Sequence, residues 1–101
     1  MAKTSAVERN KKRVKMAAKC AARRARLKAI VMNREVTPEE RFEATMKLAE
    51  VARNSAPVRQ RNRCDLSGRS RGTYRKFKLG RVMLRDLASF GQIPGMTKSS
   101  W

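Results

Sequence analysis

The residues in this chain best equipped for chemistry are arginines, and the chemistry they suit is the binding of anions. Arg59-Gln60-Arg61-Asn62-Arg63 alternates guanidinium groups with neutral side chains. Arg69, Arg71, Arg75 and Lys76 follow, spaced by Gly, Ser and Tyr. In an irregular segment this spacing lets the cations diverge toward separate phosphates. A guanidinium fork meets two phosphate oxygens at once and also stacks on flat rings. Gly68 and Gly72 let the backbone approach a phosphate with no Cβ in the way. Gln60, Asn62, Ser67 and Ser70 can donate to sugars or 2′-hydroxyls, and Tyr74, Phe77 and Trp101 offer stacking surfaces. The plain alternative is a solvated loop kept for solubility. Lys would serve that purpose equally well, yet in residues 57–101 Arg outnumbers Lys 8 to 3.

Other chemistries lack their parts. The chain has no His, so it has no imidazole base, no Ser-His or Cys-His pair and no His metal ligand. Cys20 and Cys64 are too few for a disulfide framework and lack CxxC spacing. They read as free thiols in a reducing cytoplasm. The carboxylates are Glu8, Glu35, Glu39, Glu40, Glu43, Glu50, Asp65 and Asp86, and most fall on one helix where they serve its dipole. No Gly-rich phosphate loop, H-E-x-x-H or G-x-S-x-G motif is present. The reading is not an enzyme, with no cofactor and no small-molecule substrate. No apolar run approaches the roughly 18 residues of a membrane span, and no apolar segment follows the basic N-terminus as a secretory signal requires.

The elements that must position these arginines are short of apolar material. Leu, Ile, Val and Phe together number 18 of 101 residues, and the apolar total of 41% is padded by 13 alanines. With 26 basic and 8 acidic residues the net charge is +18, and self-repulsion on that scale opposes compaction until a polyanion neutralises it. Divided by segment, the charge is +11 in residues 1–34, −2 in 35–56 and +9 in 57–101. Three regions follow: a basic helical N-terminal arm (1–36), an amphipathic acidic helix with its linker (37–56), and an Arg-rich module (57–101).

The arm shows no Gly or Pro over residues 6–34, and Ser5 with Glu8 fits a capping box. Val7, Val14, Ala18, Ala21 and Ala25 form its thin apolar stripe. Lys11, Lys12, Arg13, Arg23, Arg24 and Lys28 are its candidate phosphate contacts. A break into two helices stays open. In the second region Thr37-Pro38-Glu39-Glu40 combines a capping box with Pro at the first helical position. Phe42, Thr45, Met46, Leu48, Ala49 and Ala52 share one arc, expected to be ordinary core packing, and the helix is expected to end near Arg53-Asn54-Ser55 before Pro57. Thr73-Tyr74 suits a short strand or half of a hairpin. Residues 80–90 suit a helix with Leu79, Met83, Leu87 and Phe90 on one face and Gly91 at C′. Ile93-Pro94-Gly95 suits a type II turn.

Arg63-Cys64, Gly68-Arg69, Arg75-Lys76-Phe77, Leu79, Arg81, Arg85, Gly91, Ile93-Pro94-Gly95 and Lys98-Ser99-Ser100-Trp101 together resemble the C-terminal half of the bacterial small-subunit ribosomal protein fourteen family. The length, the basic arm and the helix that opens on Thr37-Pro38-Glu39-Glu40 match the long form of that family. A short form carries zinc on C-x2-C-x12-C-x2-C. The corresponding positions here are Cys64, Ser67, Gly80 and Met83, and one thiol cannot complete a tetrahedral zinc site. The resemblance therefore implies a fold that is mainly α with irregular loops: an extended helical arm, an amphipathic helix, and a small zinc-ribbon-like C-terminal module lacking the metal. Packing of Phe77, Val82, Met83, Leu84 and Leu87, together with RNA contact, is expected to hold that module.

The same resemblance implies a structural component of the small ribosomal subunit in the cytoplasm. It would bind 16S-type rRNA in the 3′ major domain of the head, near the decoding (A-site) region, and be needed for assembly. Small-subunit proteins three, ten and nineteen would be its neighbours. The expected RNA contacts are the six arm residues above with Arg59, Arg61, Asn62, Arg63, Arg69, Arg71, Tyr74, Arg75, Lys76, Arg81, Arg85, Lys98, Ser99, Ser100 and Trp101. Two other readings compete: a DNA-compacting basic protein indifferent to sequence, and a membrane-surface helix. The arm's stripe is Ala rather than Leu, Phe or Trp, which argues against the second.

Overall fold

The computed structural model describes residues 2–100; the stacking and RNA-contact role assigned to Trp101 lies outside the described residues. The chain is mainly helical, with helices α1 (Thr4–Met32), α2 (Pro38–Glu50) and α3 (Arg81–Ser89) and one two-stranded sheet, β1 (Thr73–Tyr74) with β2 (Leu79–Gly80). The contacts divide it differently from the charge. One compact unit joins residues 2–8 to residues 61–100, and the other is residues 9–60. Little of either is buried. Among the described residues, the buried apolar side chains are Ala17, Ala44, Val51, Cys64 and Leu84.

Within residues 9–60, α1 runs without a break. It starts earlier than a Ser5 cap would place it: Ala6 and Val7 N–H both donate to the Lys3 carbonyl (2.9 and 3.3 Å), so Ser5 lies inside the first turn. Its inward face is not the Val/Ala stripe. Val14, Ala18, Ala21 and Ala25 are exposed. Apart from Met16, the less exposed positions are Asn10, Arg13, Ala17, Cys20, Arg24, Leu27 and Val31, which repeat at alternating spacings of three and four. Hydrophobicity did not mark this face because two of its members are arginines, whose stems pack while their heads seek acceptors.

α2 starts after Thr37 with Pro38 at its first position, but the Thr37 side chain makes no capping bond. The Thr37 carbonyl accepts from Arg41 N–H at 3.1 Å. The helix ends at Glu50, earlier than expected, because Val51 turns to an extended conformation and buries its side chain. Two 3-10 turns follow at Arg53–Ser55 and Pro57–Arg59. The face expected to pack is also displaced. Ala44 is buried and Arg41 and Leu48 half-buried, while Phe42, Thr45, Met46 and Ala49 are exposed.

In the other unit, Thr73 pairs with Gly80 and Tyr74 with Leu79 in an antiparallel register. α3 closes with a Schellman motif: Gly91 N–H donates to Ala88 C=O at 3.1 Å and Gln92 N–H to Leu87 C=O at 3.0 Å. Gly91 takes the left-handed conformation this motif requires (φ 71°). Gly95, also at positive φ (75°), fits the second central position of the expected type II turn. Leu84 is buried and Phe77, Met83 and Leu87 are half-buried, but Val82 and Phe90 are exposed. The apolar packing of this unit is therefore smaller than the five residues expected.

Candidate nucleic-acid interface

Backbone hydrogen bonds hold the arginine-bearing loop in place. Cys64 N–H donates to Arg69 C=O (2.9 Å), Gly68 N–H to Cys64 C=O (2.8 Å), Asp65 N–H to Lys78 C=O (3.0 Å) and Arg81 N–H to Gly72 C=O (2.8 Å). The N-terminus seals the same loop, with Ala2 N–H donating to Ser67 C=O at 3.1 Å. Gly68 sits at φ 69°, and a Cβ there would lie 2.9 Å from Val7 Cγ2. These contacts pull main chain inward and leave Arg69, Arg71, Arg75 and Lys76 exposed. Arg69 Nε donates to Arg71 C=O (3.0 Å), which couples two of the cations. The Lys76 ammonium lies 5.7 Å from the Phe77 ring centroid, a cation–π arrangement.

The hairpin and α3 together form an open groove of about 520 Å³ lined by Tyr74, Arg81, Val82, Leu84, Arg85, Ala88 and Met96. A second concavity shares Arg85, Ala88 and Met96 and adds Ser89, Thr97 and Lys98. Tyr74, Arg81 and Arg85 are thus brought together on a largely apolar floor, and Arg85 is shared with the concavity that holds Lys98. Sequence reading selected those four but missed the floor. Met96, one residue past the Pro94-Gly95 turn, carried no periodic signal. Ser99 and Ser100 are exposed.

The structure separates the expected contacts into two kinds. Lys11, Lys12, Arg23, Lys28, Arg59, Arg61 and Asn62 are exposed. Arg13, Arg24 and Arg63 are half-buried. Arg24 donates to Ser55 Oγ from Nε (3.3 Å) and Nη2 (3.1 Å), and to Ala52 C=O at 3.4 Å. Ser55 is fully buried, so this guanidinium anchors the segment after α2. Arg63 donates to Gly68 C=O at 2.8 Å. Arg41, absent from the expected contacts, donates to Val31 C=O at 3.2 Å and satisfies a carbonyl at the end of α1.

Cys64 is only 2% exposed. Burial pushes its thiol up, but this is outweighed by hydrogen bonds from the Ser67 side chain and from the backbone at Ser67, Gly80 and Leu66, which lower it from the ordinary 9.0 to about 7. Ser67 N–H reaches the sulfur at 3.4 Å, and a Cβ on Gly80 would lie 3.6 Å from it. Among the described residues, no three His, Cys, Asp or Glu side chains are grouped to hold a metal ion.

The family described as Ribosomal protein S14p/S29e matches residues 47–100, a span that contains the loop, the hairpin and the groove. Over the full length of both chains, the sequence is 71% identical to the small ribosomal subunit protein uS14 of Paramagnetospirillum magneticum. It is 67% identical to that of Acidiphilium cryptum and 63% to that of Brucella ovis, again over the full length of both.

The chain belongs to the S14 family of small-subunit ribosomal proteins.

That membership makes it a structural ribosomal protein of the bacterial S14 type and not an enzyme, working in the cytoplasm. It also explains the weak self-burial: a ribonucleoprotein component meets its main partner as RNA. No helix among the described residues is long and apolar enough to cross a membrane.

Proposed function

We propose that the chain binds 16S-type rRNA in the head of the small subunit, within the 3′ major domain, where it supports assembly and helps shape the decoding region. The observation that carries this reading is the groove in which Tyr74, Arg81 and Arg85 converge on an apolar floor, with Lys98 lining the concavity beside it. Cations at the rim suit phosphates, and Tyr74 with the floor suits the face of an unstacked base. Arg69, Arg71, Arg75 and Lys76 extend the cationic surface, and Lys11, Lys12, Arg23 and Lys28 supply a second one on α1. Arg24 and Arg63 act as positioning residues for these surfaces. Small-subunit proteins three, ten and nineteen are the neighbours this placement implies.

The C-terminal unit acts in this reading as a zinc-ribbon-like module that dispenses with the metal. Cys64 keeps the N–H bonds to sulfur that orient a zinc-ligating thiolate. Ser67, Gly80 and Met83, at the other three positions of the short form, do not complete a set of zinc donors. Backbone bonding around Cys64 replaces the ion.

Affinity then comes largely from counterion release, so log K falls steeply with log salt. Replacing Arg71 and Arg75 together by Ala lowers that slope by about 2, one unit for each phosphate contact. An unchanged slope rejects their role. Equal affinity for duplex DNA and structured rRNA fragments would favour a DNA-compacting protein instead.

A further inference from the structure

Lys78 holds a backbone conformation that the rest of the chain gives to glycine. Among the described residues, Gly68, Gly72, Gly91 and Gly95 sit at positive φ, and the one residue with a side chain that joins them is Lys78, at φ 52°. A residue with a Cβ enters this left-handed region at a cost that Gly avoids and Asn softens. The fold needs the conformation here. Residues 75–78 join β1 to β2, and Lys78 is the last of them before Leu79 pairs with Tyr74. The Lys78 carbonyl accepts Asp65 N–H at 3.0 Å, which ties the turn to the loop around Cys64.

The turn has no use for the lysine side chain. Lys78 is exposed, and among the described residues its ammonium has no ion-pair partner. Arg75 and Lys76 in the same loop are exposed cations as well, so a third charge adds repulsion to the backbone cost. Solubility does not account for it. With a net charge of +18 the chain has cations to spare, and an exposed helical position carries a Lys without strain. Strain that Gly would relieve, and that the fold keeps, marks a side chain with work to do elsewhere. A phosphate offsets both costs, because it neutralises the crowded charge and holds the ammonium by charge-assisted hydrogen bonds.

We infer that Lys78 is a further RNA contact, carried at the end of the β1–β2 loop to grip a backbone phosphate beside Arg75 and Lys76, and that the loop gives up stability to present it. This deepens the ribosomal reading above and rests on it. The ligand is the phosphate backbone and not a base edge. An ammonium is a compact charge on a flexible stem, without the planar fork that reads bases or stacks on them.

Three variants of the full chain test this: Lys78→Gly, Lys78→Asn and Lys78→Arg. Each is compared with the unaltered protein in thermal melts and in titrations of purified small-subunit rRNA across a range of salt. Lys78→Gly and Lys78→Asn are expected to melt no lower than the unaltered protein, and up to about 5 °C higher, because the strain is eased. The same two variants are expected to bind the rRNA about tenfold more weakly near 0.1 M salt, with the slope of log K against log salt smaller by about 1. Lys78→Arg keeps the charge and is expected to keep both affinity and slope. A lower melting temperature in either neutral variant shows that the side chain serves the fold, and overturns the proposal. Unchanged affinity in those variants overturns it too, as does weaker binding with an unchanged slope, the mark of a loosened turn. Weak binding by Lys78→Arg also rejects it. If the unaltered protein binds duplex DNA as tightly as the rRNA, the ribosomal reading falls, and the RNA contact falls with it.

Discussion

Residues 9–60 and the unit formed by residues 2–8 with 61–100 use the same residue type in opposite ways. In the hairpin unit, main-chain bonds around Cys64, Gly68 and Gly72 satisfy one another, and every arginine but Arg63, which donates to Gly68 C=O, stands outward. In residues 9–60 a long helix meets a segment of irregular backbone, whose Ser55 hydroxyl and Ala52 carbonyl need donors. Arg24 turns inward to supply them, and Arg41 does the same for Val31. The difference teaches that an arginine's role follows from the acceptors within its reach. Where the backbone closes on itself, the guanidinium is left exposed. Where it does not, the guanidinium becomes part of the fold.

The largest effect that would break this comparison lies at Gly68. Its φ of 69° and the 2.9 Å approach of Val7 to any Cβ make Gly68→Ala both strained and crowded. The loss is about 3 kcal/mol, seen as early urea unfolding and fast proteolysis within residues 61–100. Normal stability would mean that main-chain closure does not organise this unit. Next in size is the contrast between Arg24 and its neighbour Arg23. Arg24→Ala leaves a buried hydroxyl with one partner fewer and costs roughly 1–3 kcal/mol. Arg23→Ala changes stability by less than about 0.5 kcal/mol. Equal costs in denaturant titrations would erase the distinction between inward and outward arginines.

The remaining contrast concerns Cys64 and pH. Its thiol titrates near 7 when folded, against an ordinary 9.0. The unfolded chain therefore holds the proton over that interval while the folded chain has lost it, and stability rises as pH goes from 7 to 9. The gain is complete above pH 9 and absent below pH 7. Thermal melts across that range should show the rise, and Cys64→Ser should flatten it. Elemental analysis of the same protein should return far less than one zinc per chain. Stoichiometric zinc would return the module to the metal-bound type.

Much of this was legible in the residues alone. The hairpin at Thr73-Tyr74, α3 and its Gly91 stop followed from local rules, because turns and caps depend on a few adjacent residues. The exposed cations of the interface were legible for the same reason: charged side chains default to water. The inward faces of α1 and α2 were not. Apolar periodicity pointed to Val14, Ala18 and Ala25 on one helix and to Phe42 and Met46 on the other, and all are exposed. In a chain with so few large apolar residues, periodicity is a weak guide. The faces that pack carry Arg24 and Arg41, which find acceptors there, and the Phe42–Met46 side of α2 is left exposed.

Composition and local spacing alone determined that this chain is cationic, helical at its start, poor in core and built to meet a polyanion. Those properties are sums over residues and nearest neighbours, and they hold in any fold. Tertiary structure decided which arginines bond within the protein and which stay exposed. It also set Tyr74, Arg81 and Arg85 around one groove and left Phe42 in the open. Such choices depend on acceptors and surfaces that meet only when distant segments come together, as Arg24 meets Ser55 across 31 positions.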